Sequence, residues 1–538
     1  MYRVALTQSH FPAQDDDIVR ETTVPSILLD AAREAPDAQA LIEANAQGAL
    51  ARHWTYRQLL DDAERLGRVL AARHAPGERI AVWAPNVPEW VVLEFAAGLA
   101  GLTLVAVNPA YQAKELRFVL EQSRSAGLYL TRSFRGNPML EIAGRVAAEL
   151  PTIRHLIDIE DADALHGGNR ASELPMAKPG DAAQIQYTSG TTGFPKGAVL
   201  THRGLTNNGR LSMARAGVVP GDTGLNPMPM FHTSGCGIIT LGTMQNRMPM
   251  ILIRQFDPDR VNAIIERERA GMIGGVPTML IGMLEALARH PRDMSSVRCV
   301  FSGGAMVPPE LVRRVNAAFG CHLSICYGQT ETSAVLTQTG PHDAPDEQID
   351  SVGQPLPMTE ISIRDPATGT KVAAGAVGEI CSRGYGTMLG YNDNPEATAH
   401  TIDAEGWLST GDLGTMDSRG YVRVTGRVKE MIIRGGENLF PAEIENVLLE
   451  HPGIAEAAII GVPDDVWGEV VVCLFRTVPG AAPTRMDLVA HCRRDLAAPK
   501  TPTHWIPVES FPLTGSGKIQ KFVLRERYLA GEYTRRLD

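Results

Sequence analysis

"AAQIQYTSGTTGFPKG", residues Ala182 to Gly197, runs a short strand-like segment straight into a loop, Thr188 to Gly197, with three glycines, four hydroxyl side chains and one lysine. Glycine lets backbone N–H groups approach a ligand closely, and Thr and Ser add donors, so the loop can form a concave anion site to which Lys196 adds charge. Phosphate is the natural guest of such a site. The loop is not a Walker A sequence, because Pro195 precedes Lys196 and Gly197 follows it, where that motif needs a glycine and a hydroxyl residue. Gly, Ser, Thr and Pro also make ordinary surface turns, so the choice between turn and phosphate site rests on the rest of the chain.

Upstream, "RIAVW" (Arg79 to Trp83) reads as a strand, followed by a helix after Asn86, a strand around Leu104, a helix from Lys114 to Gln122 and the strand "GLYLT" from Gly127. Such alternation predicts a parallel sheet with helices on its faces. A polar connector, Arg170 to Asp181, delivers the chain to the strand before the loop, and ligands commonly sit where strands of α/β folds end. Further apolar strands are expected to end at Met230 and Ser302, next to "PMFHTSG" and "SGGA", and "LSICYG" leads into "YGQTET", Tyr327 to Thr332. Beyond "STGDLG" (Ser409 to Gly414), short strands, a glycine turn and a helix starting near Pro441 predict a small α+β domain. The expected division is 1–427 and 428–538.

A chain of 538 residues with 44% hydrophobic composition is long enough for several domains with substantial cores. A net charge of −10 argues against a general nucleic-acid or anionic-membrane surface. Seven cysteines without a C-x-x-C suggest neither a disulfide framework nor a zinc site, which fits a reducing cytoplasm. The N-terminus reaches acidic residues before any apolar run, so no signal peptide is expected. "WVVLEFAAGLAGLTLVAV", Trp90 to Val107, approaches membrane-spanning length, but Glu94 and Gly101 predict a buried helix turning into a buried strand.

"YTSGTTGFPKGAVLTH", "YGQTET", "STGDLG", "GRVKEMIIRGGENLFPAEIE" and "PLTGSGKIQK" resemble, in order and spacing, the core motifs of the adenylate-forming superfamily, the acyl-CoA synthetases among them. The resemblance spans Trp54 to Lys518. It implies an α/β fold: a large N-terminal domain of several subdomains with layered β-sheets and helices, plus a small mobile α+β C-terminal domain. It further implies a ligase that joins a carboxylic acid to ATP as acyl-AMP, releasing pyrophosphate, and then transfers the acyl group to CoA, with ATP, Mg2+ and CoA as its small molecules. The alternative is a stand-alone adenylation enzyme that loads an acyl-carrier protein. A non-catalytic nucleotide sensor is disfavoured because Lys518, Glu331 and Asp412 are all present. No integral membrane segment or nucleic-acid partner is expected, and the oligomeric state stays open, a homodimer among the options.

By the same resemblance, Thr188, Ser189, Gly190, Thr191, Thr192 and Lys196 hold the β- and γ-phosphates. Glu331, with Thr188 near it, is the expected magnesium residue, and Thr330 lies beside the α-phosphate. Gly303, Gly304 and Ala305 offer adenine a flat face and Tyr327 a ring, with Gly328 and Gln329 next to it, while Asp412 and Arg427 take the ribose. Lys518 bridges carboxylate and α-phosphate. His232, Ser234, Gly235 and Cys236 with Gly303 and Gly328 form the expected acyl pocket, His232 serving mainly as its wall, with acid–base help to the thiol as the catalytic alternative. Lys429 matches a hinge, and Arg434, Gly435 and Gly436 match the turn facing the CoA arm. Cys236 stands where some long-chain enzymes carry a tryptophan gate, and the small residues around it predict either room for a medium-chain, aryl-substituted or bulky acid or a channel with a different gate.

Overall fold

Helix Tyr56–Arg73 shows how the local rules operate: Thr55 and Gln58 close a capping box at its start, and Leu59, Ala63, Leu66 and Leu70 form one buried stripe. Helix Pro88–Leu99, by contrast, is buried all round, and Gly101, at φ +65°, turns it into the buried strand Thr103–Val107. The membrane-length apolar run is therefore a core helix and strand, and no helix among the described residues is long and apolar enough to cross a membrane. The computed structural model describes residues 2–188, 195–435, 437–513 and 519–537.

Among these residues the strands gather in four sheets. The first holds Arg79–Trp83, Thr103–Val107, Gly127–Leu130 and His155–Asp158 in parallel, and strand Ala182–Thr188 joins it beside Thr103–Val107. There the chain doubles back: Lys196–Thr201 pairs antiparallel with Ala182–Thr188, Thr188 opposite Lys196, so the glycine-rich segment links two strands rather than a strand and a helix. The second sheet carries His322–Tyr327 beside Cys299–Gly303 in a parallel set that also includes Gly224–Asn226. Its strand near residue 226 ends earlier than Met230, because Asn86 takes over the backbone beyond it, donating to the Met228 carbonyl at 2.9 Å and accepting from Met230 N–H at 2.9 Å. Between the first two sheets lies the main core, around Trp90, Phe95, Leu104 and Leu200.

The third sheet is antiparallel and holds Thr359–Arg364, Gly378–Gly384, Leu408–Met416 and Val422–Arg427. A short 3-10 turn, Val428–Glu430, then leads into the fourth sheet, whose strands all follow residue 431. Helix Pro441–Leu449 buries Ile444 and Leu448 against that sheet, with Trp505 fully buried in the same cluster. Lys521 Nζ lies 2.7 Å from Glu445 and 3.4 Å from Glu430, tying the last helix, Lys521–Leu529, back to the turn.

One feature of the core is costly. Glu94, in the middle of helix Pro88–Leu99, is 3% exposed and receives a hydrogen bond from Gln184 at 2.7 Å. Burial drives its carboxyl well above the ordinary value of 4.5, the Gln184 contact opposing only in part. A carboxyl that holds its proton more tightly folded than unfolded loses the chain stability as pH rises above its unfolded value. Glu94→Gln, which keeps the acceptor for Gln184, should therefore melt above the unsubstituted protein at pH 8, with the gap closing toward pH 5. Melting curves that stay parallel across that range would contradict the assignment.

Candidate active site

Three sheets deliver their strand ends to one place. Tyr327 closes strand His322–Tyr327, and the chain then passes through Gly328 into a buried 3-10 turn, Thr330–Thr332. Gln329 and Thr332 form a capping box there, which holds the turn in one orientation. Gly328 is required by close approach, since a Cβ there would stand 2.0 Å from the Ala334 carbonyl oxygen. Gly303 is required in the same way, with the Cys326 carbonyl oxygen 2.2 Å from where its Cβ would be, and Gly304 and Ala305 beyond it are exposed.

The turn presents Glu331, 7% exposed, to the glycine-rich hairpin of the first sheet. Its Oε1 accepts from the Tyr391 hydroxyl at 2.8 Å and from Thr188 Oγ1 at 3.3 Å, and its backbone carbonyl accepts from Met388 N–H at 2.8 Å. Lys196 Nζ stands 4.9 Å from the centre of the Tyr391 ring, a cation–π contact. Burial and then the Glu331 charge push the Tyr391 phenol up from its ordinary value of 10.0, so it remains a hydrogen-bond donor.

On the other side, the Tyr327 hydroxyl lies 3.1 Å from Asp412 Oδ2, and Arg427 Nε donates to Asp412 Oδ1 at 2.9 Å. Burial first and the Asp412 charge second raise the Tyr327 phenol well above 10.0, which keeps its proton on the hydrogen bond. The turn before Asp412 is itself held: Gly411, at φ +73°, donates to Glu379 at 2.9 Å, and Asp412 N–H donates to Thr410 Oγ1 at 3.1 Å. Tyr327, Asp412 and Arg427 thus form one unit, and Thr188, Lys196, Glu331 and Thr330 lie about a second.

His232 and Ser234 are half-buried at the entrance to a π-helix, Ser234–Leu241, a form that occurs often at functional sites. The room expected beside Cys236 is not there. Cys236 is fully buried, with its Sγ 3.3 Å from Gln184 Oε1 and 3.3 Å from the His232 carbonyl, and a Cβ on Gly235 would meet the Pro229 oxygen at 2.3 Å. The small residues of this stretch serve close packing of the π-helix against its neighbours instead of lining open space. Burial and the neighbouring Glu94 push the Cys236 thiol up, leaving it inert.

Lys429 is exposed in the 3-10 turn before the fourth sheet, and within that sheet Arg434 donates to the Pro499 carbonyl at 2.5 Å and stacks over Trp467. Gly435, at φ +59°, donates to the Trp467 carbonyl at 2.8 Å. Ser189, Gly190, Thr191, Thr192, Gly436 and Lys518 lie outside the described residues. Tyr391 escaped the sequence reading, because "LGYNDNP" marks only a turn and nothing local ties its tyrosine to a glutamate sixty residues away.

A single buried carboxylate flanked by hydroxyls suits Mg2+, which takes one or two protein carboxylates and completes its octahedron with phosphate oxygens and water. No cluster of three or more His, Cys, Asp or Glu side chains that could hold a metal occurs among the described residues. The donor set fits a magnesium ion that arrives with a nucleotide.

The family model of the AMP-binding enzymes matches residues 28–392, and that of the AMP-binding enzyme C-terminal domain matches residues 443–518. The chain is 36% identical over 529 residues to the 3-[(3aS,4S,7aS)-7a-methyl-1,5-dioxo-octahydro-1H-inden-4-yl]propanoyl:CoA ligase of Rhodococcus jostii (strain RHA1), covering 94% of this chain and 98% of that one. It is 32% identical over 555 residues to the mitochondrial medium-chain acyl-CoA ligase ACSF2 of Rattus norvegicus, covering 96% of this chain and 89% of that one. Among solved structures, ATP-bound MatB from Rhodopseudomonas palustris superposes with a TM-score of 0.85 at 30% identity, covering 95% of this chain and 99% of that one.

The close approach of the Cys326 carbonyl to Gly303 gives a direct test of the site's rigidity. Gly303→Ala should cost about 1 to 3 kcal/mol by forcing the strands apart, and it should weaken nucleotide binding along with the loss. A thermal melt and an ATP titration that both match the unsubstituted protein would contradict this.

Proposed function

The chain belongs to the AMP-binding enzymes, as an ATP-dependent, AMP-forming acid–CoA ligase, and we propose that its acid is a medium-chain, aryl-substituted or otherwise bulky carboxylate. Relatives acting on a medium-chain acid and on a bicyclic propanoate support that substrate class. The observation that carries the mechanistic reading is Glu331, a buried carboxylate held by the hydroxyls of Thr188 and Tyr391 at the mouth of the glycine-rich hairpin.

The acid's carboxylate attacks the α-phosphorus of ATP, the bond to the β-phosphate oxygen breaks, and acyl-AMP and pyrophosphate form. Both reactants are anions, so positive charge has to be in place before they meet. Lys196 and the backbone of the loop from Thr188 take the β- and γ-phosphates, and Thr330 contacts the α-phosphate. Magnesium, where bound, neutralises charge across the phosphates, and Glu331 with Thr188 would hold it. Asp412, steadied by Arg427, accepts from the ribose hydroxyls, and adenine lies between the Gly303 to Ala305 backbone and the Tyr327 ring, with Gly328 and Gln329 alongside. Lys518 supplies a charge between the carboxylate and the α-phosphate. In the second half-reaction the CoA thiolate attacks the acyl carbon and AMP leaves.

His232 and Ser234, half-buried at the start of the π-helix, with Gly303 and Gly328 form the wall nearest the reacting carboxylate. Residues 428–538 turn about Lys429 between the two half-reactions, and Arg434, Gly435 and Gly436 then face the pantetheine arm. Two domains that alternate need few permanent ties, and the short turn Val428–Glu430 is the link between the third and fourth sheets. Seven free thiols are consistent with a cytoplasmic setting.

Pyrophosphate release by the purified protein, measured with ATP, magnesium and short, medium, long-chain and aryl acids, tests the reading. Release should depend on acid, favour the medium-chain, aryl or bulky members, and accelerate with CoA. Acid-dependent release that CoA leaves unchanged, with adenylate staying bound, would point to a carrier-protein-loading enzyme. Lys518→Ala should abolish adenylate formation yet still convert supplied acyl-AMP with CoA, whereas Lys429→Pro should spare adenylation and stop thioester formation. Equal loss of both steps in the lysine variant would refute its assigned role.

A further inference from the structure

Glu331 and Lys196 carry opposite charges, and both touch one side chain. The Tyr391 hydroxyl donates to Glu331 Oε1 at 2.8 Å, while Lys196 Nζ stands 4.9 Å from the centre of the Tyr391 ring. Among the ion pairs of the described residues none joins Lys196 to Glu331, although opposite charges facing each other in a partly buried cleft attract strongly. A direct pair would satisfy both groups and close the place a divalent cation and a triphosphate must enter. A phenol meets both needs without that collapse: its O–H serves the anion as a neutral donor, and its negative ring face serves the cation.

The backbone holds Tyr391 to both partners. Strand Gly390–Tyr391 pairs with Lys196–Thr201, Tyr391 opposite Ala198, and Asn392 N–H donates to the Gly197 carbonyl at 2.7 Å. Three residues earlier, Met388 N–H donates to the carbonyl of Glu331 itself at 2.8 Å. Tyr391 N–H donates to Thr398 Oγ1 at 2.9 Å, and the Asn392 side chain donates to the Gln122 carbonyl at 2.9 Å, so the segment cannot drift.

We propose that Tyr391 is a positioning residue that keeps Glu331 and Lys196 apart and aimed, leaving the carboxylate open to Mg2+ and the ammonium open to the β- and γ-phosphates. The inference rests on the nucleotide reading above. Calorimetric titration with ATP in EDTA and with ATP plus Mg2+ tests it, using Tyr391→Phe and Tyr391→Leu. The Phe variant keeps the ring under Lys196 and loses the donor on Glu331, so it should bind ATP in EDTA as before and bind Mg2+–ATP about tenfold more weakly. The Leu variant loses the ring as well and should weaken in both titrations.

Unchanged Mg2+–ATP affinity in the Phe variant overturns the proposal. So does an equal loss in both titrations for that variant, which would mark a tyrosine needed only for packing. The Phe variant alone decides the matter if the Leu variant does not fold. Failure of the unsubstituted protein to bind Mg2+–ATP would remove the nucleotide reading itself, an outcome distinct from either.

Discussion

A buried carboxylate held by hydroxyls rather than by a cation is the constraint on which this structure turns. Taking an anion out of water costs several kcal/mol unless its acceptors are met, and Glu331 meets that cost through Thr188 on one strand and Tyr391 on another. Both donors come from the first sheet, while Glu331 itself follows a strand of the second. The 3-10 turn that carries it, the hairpin strands that flank the loop and the segment at Met388 to Tyr391 must therefore keep a fixed relation. Thr188 and Tyr391 hold the carboxylate with neutral hydroxyls, and Lys196 reaches the Tyr391 ring instead of the carboxylate itself.

The second tie runs from Tyr327 through Asp412 to Arg427 and joins the second sheet to the third. Arg427 is also the last residue of strand Val422–Arg427, immediately before the turn that leads to the fourth sheet. The residue that pairs with Asp412 is thus the last one before the turn into the fourth sheet. Beyond it, Lys521 collects Glu430 and Glu445, and the two carboxylates keep its ammonium charged against the burial that opposes it.

Particular residues show where sequence reading succeeds and where it stops. Glu331, Asp412 and Tyr327 were legible because each sits in a short recognisable motif, although the groups they bond in the fold, Thr188 and Tyr391 for Glu331 and Asp412 for Tyr327, lie far along the chain. Tyr391 was not, since its contact with Glu331 spans sixty positions and depends on how an edge strand docks. Cys236 was misread for a related reason: small side chains mean either open space or close packing, and only the neighbours decide. Here Pro229, Gln184 and Gln186 fill the space, Gln186 donating to the Cys236 sulfur at 3.2 Å.

By itself the amino-acid sequence determined the alternation of strands and helices and the buried character of the run from Trp90 to Val107, and its motifs, by resemblance, announced the family. The first two follow from periodicity and from glycine and proline placement, within a few positions of one another. Only the tertiary structure decided that the glycine-rich loop returns as an antiparallel strand, that Tyr391 stands between Glu331 and Lys196, and that the stretch around Cys236 is packed shut. Those facts depend on how strands pair and side chains pack, near in the chain for the hairpin and far apart for Tyr391, and such contacts exist only once the sheets have met.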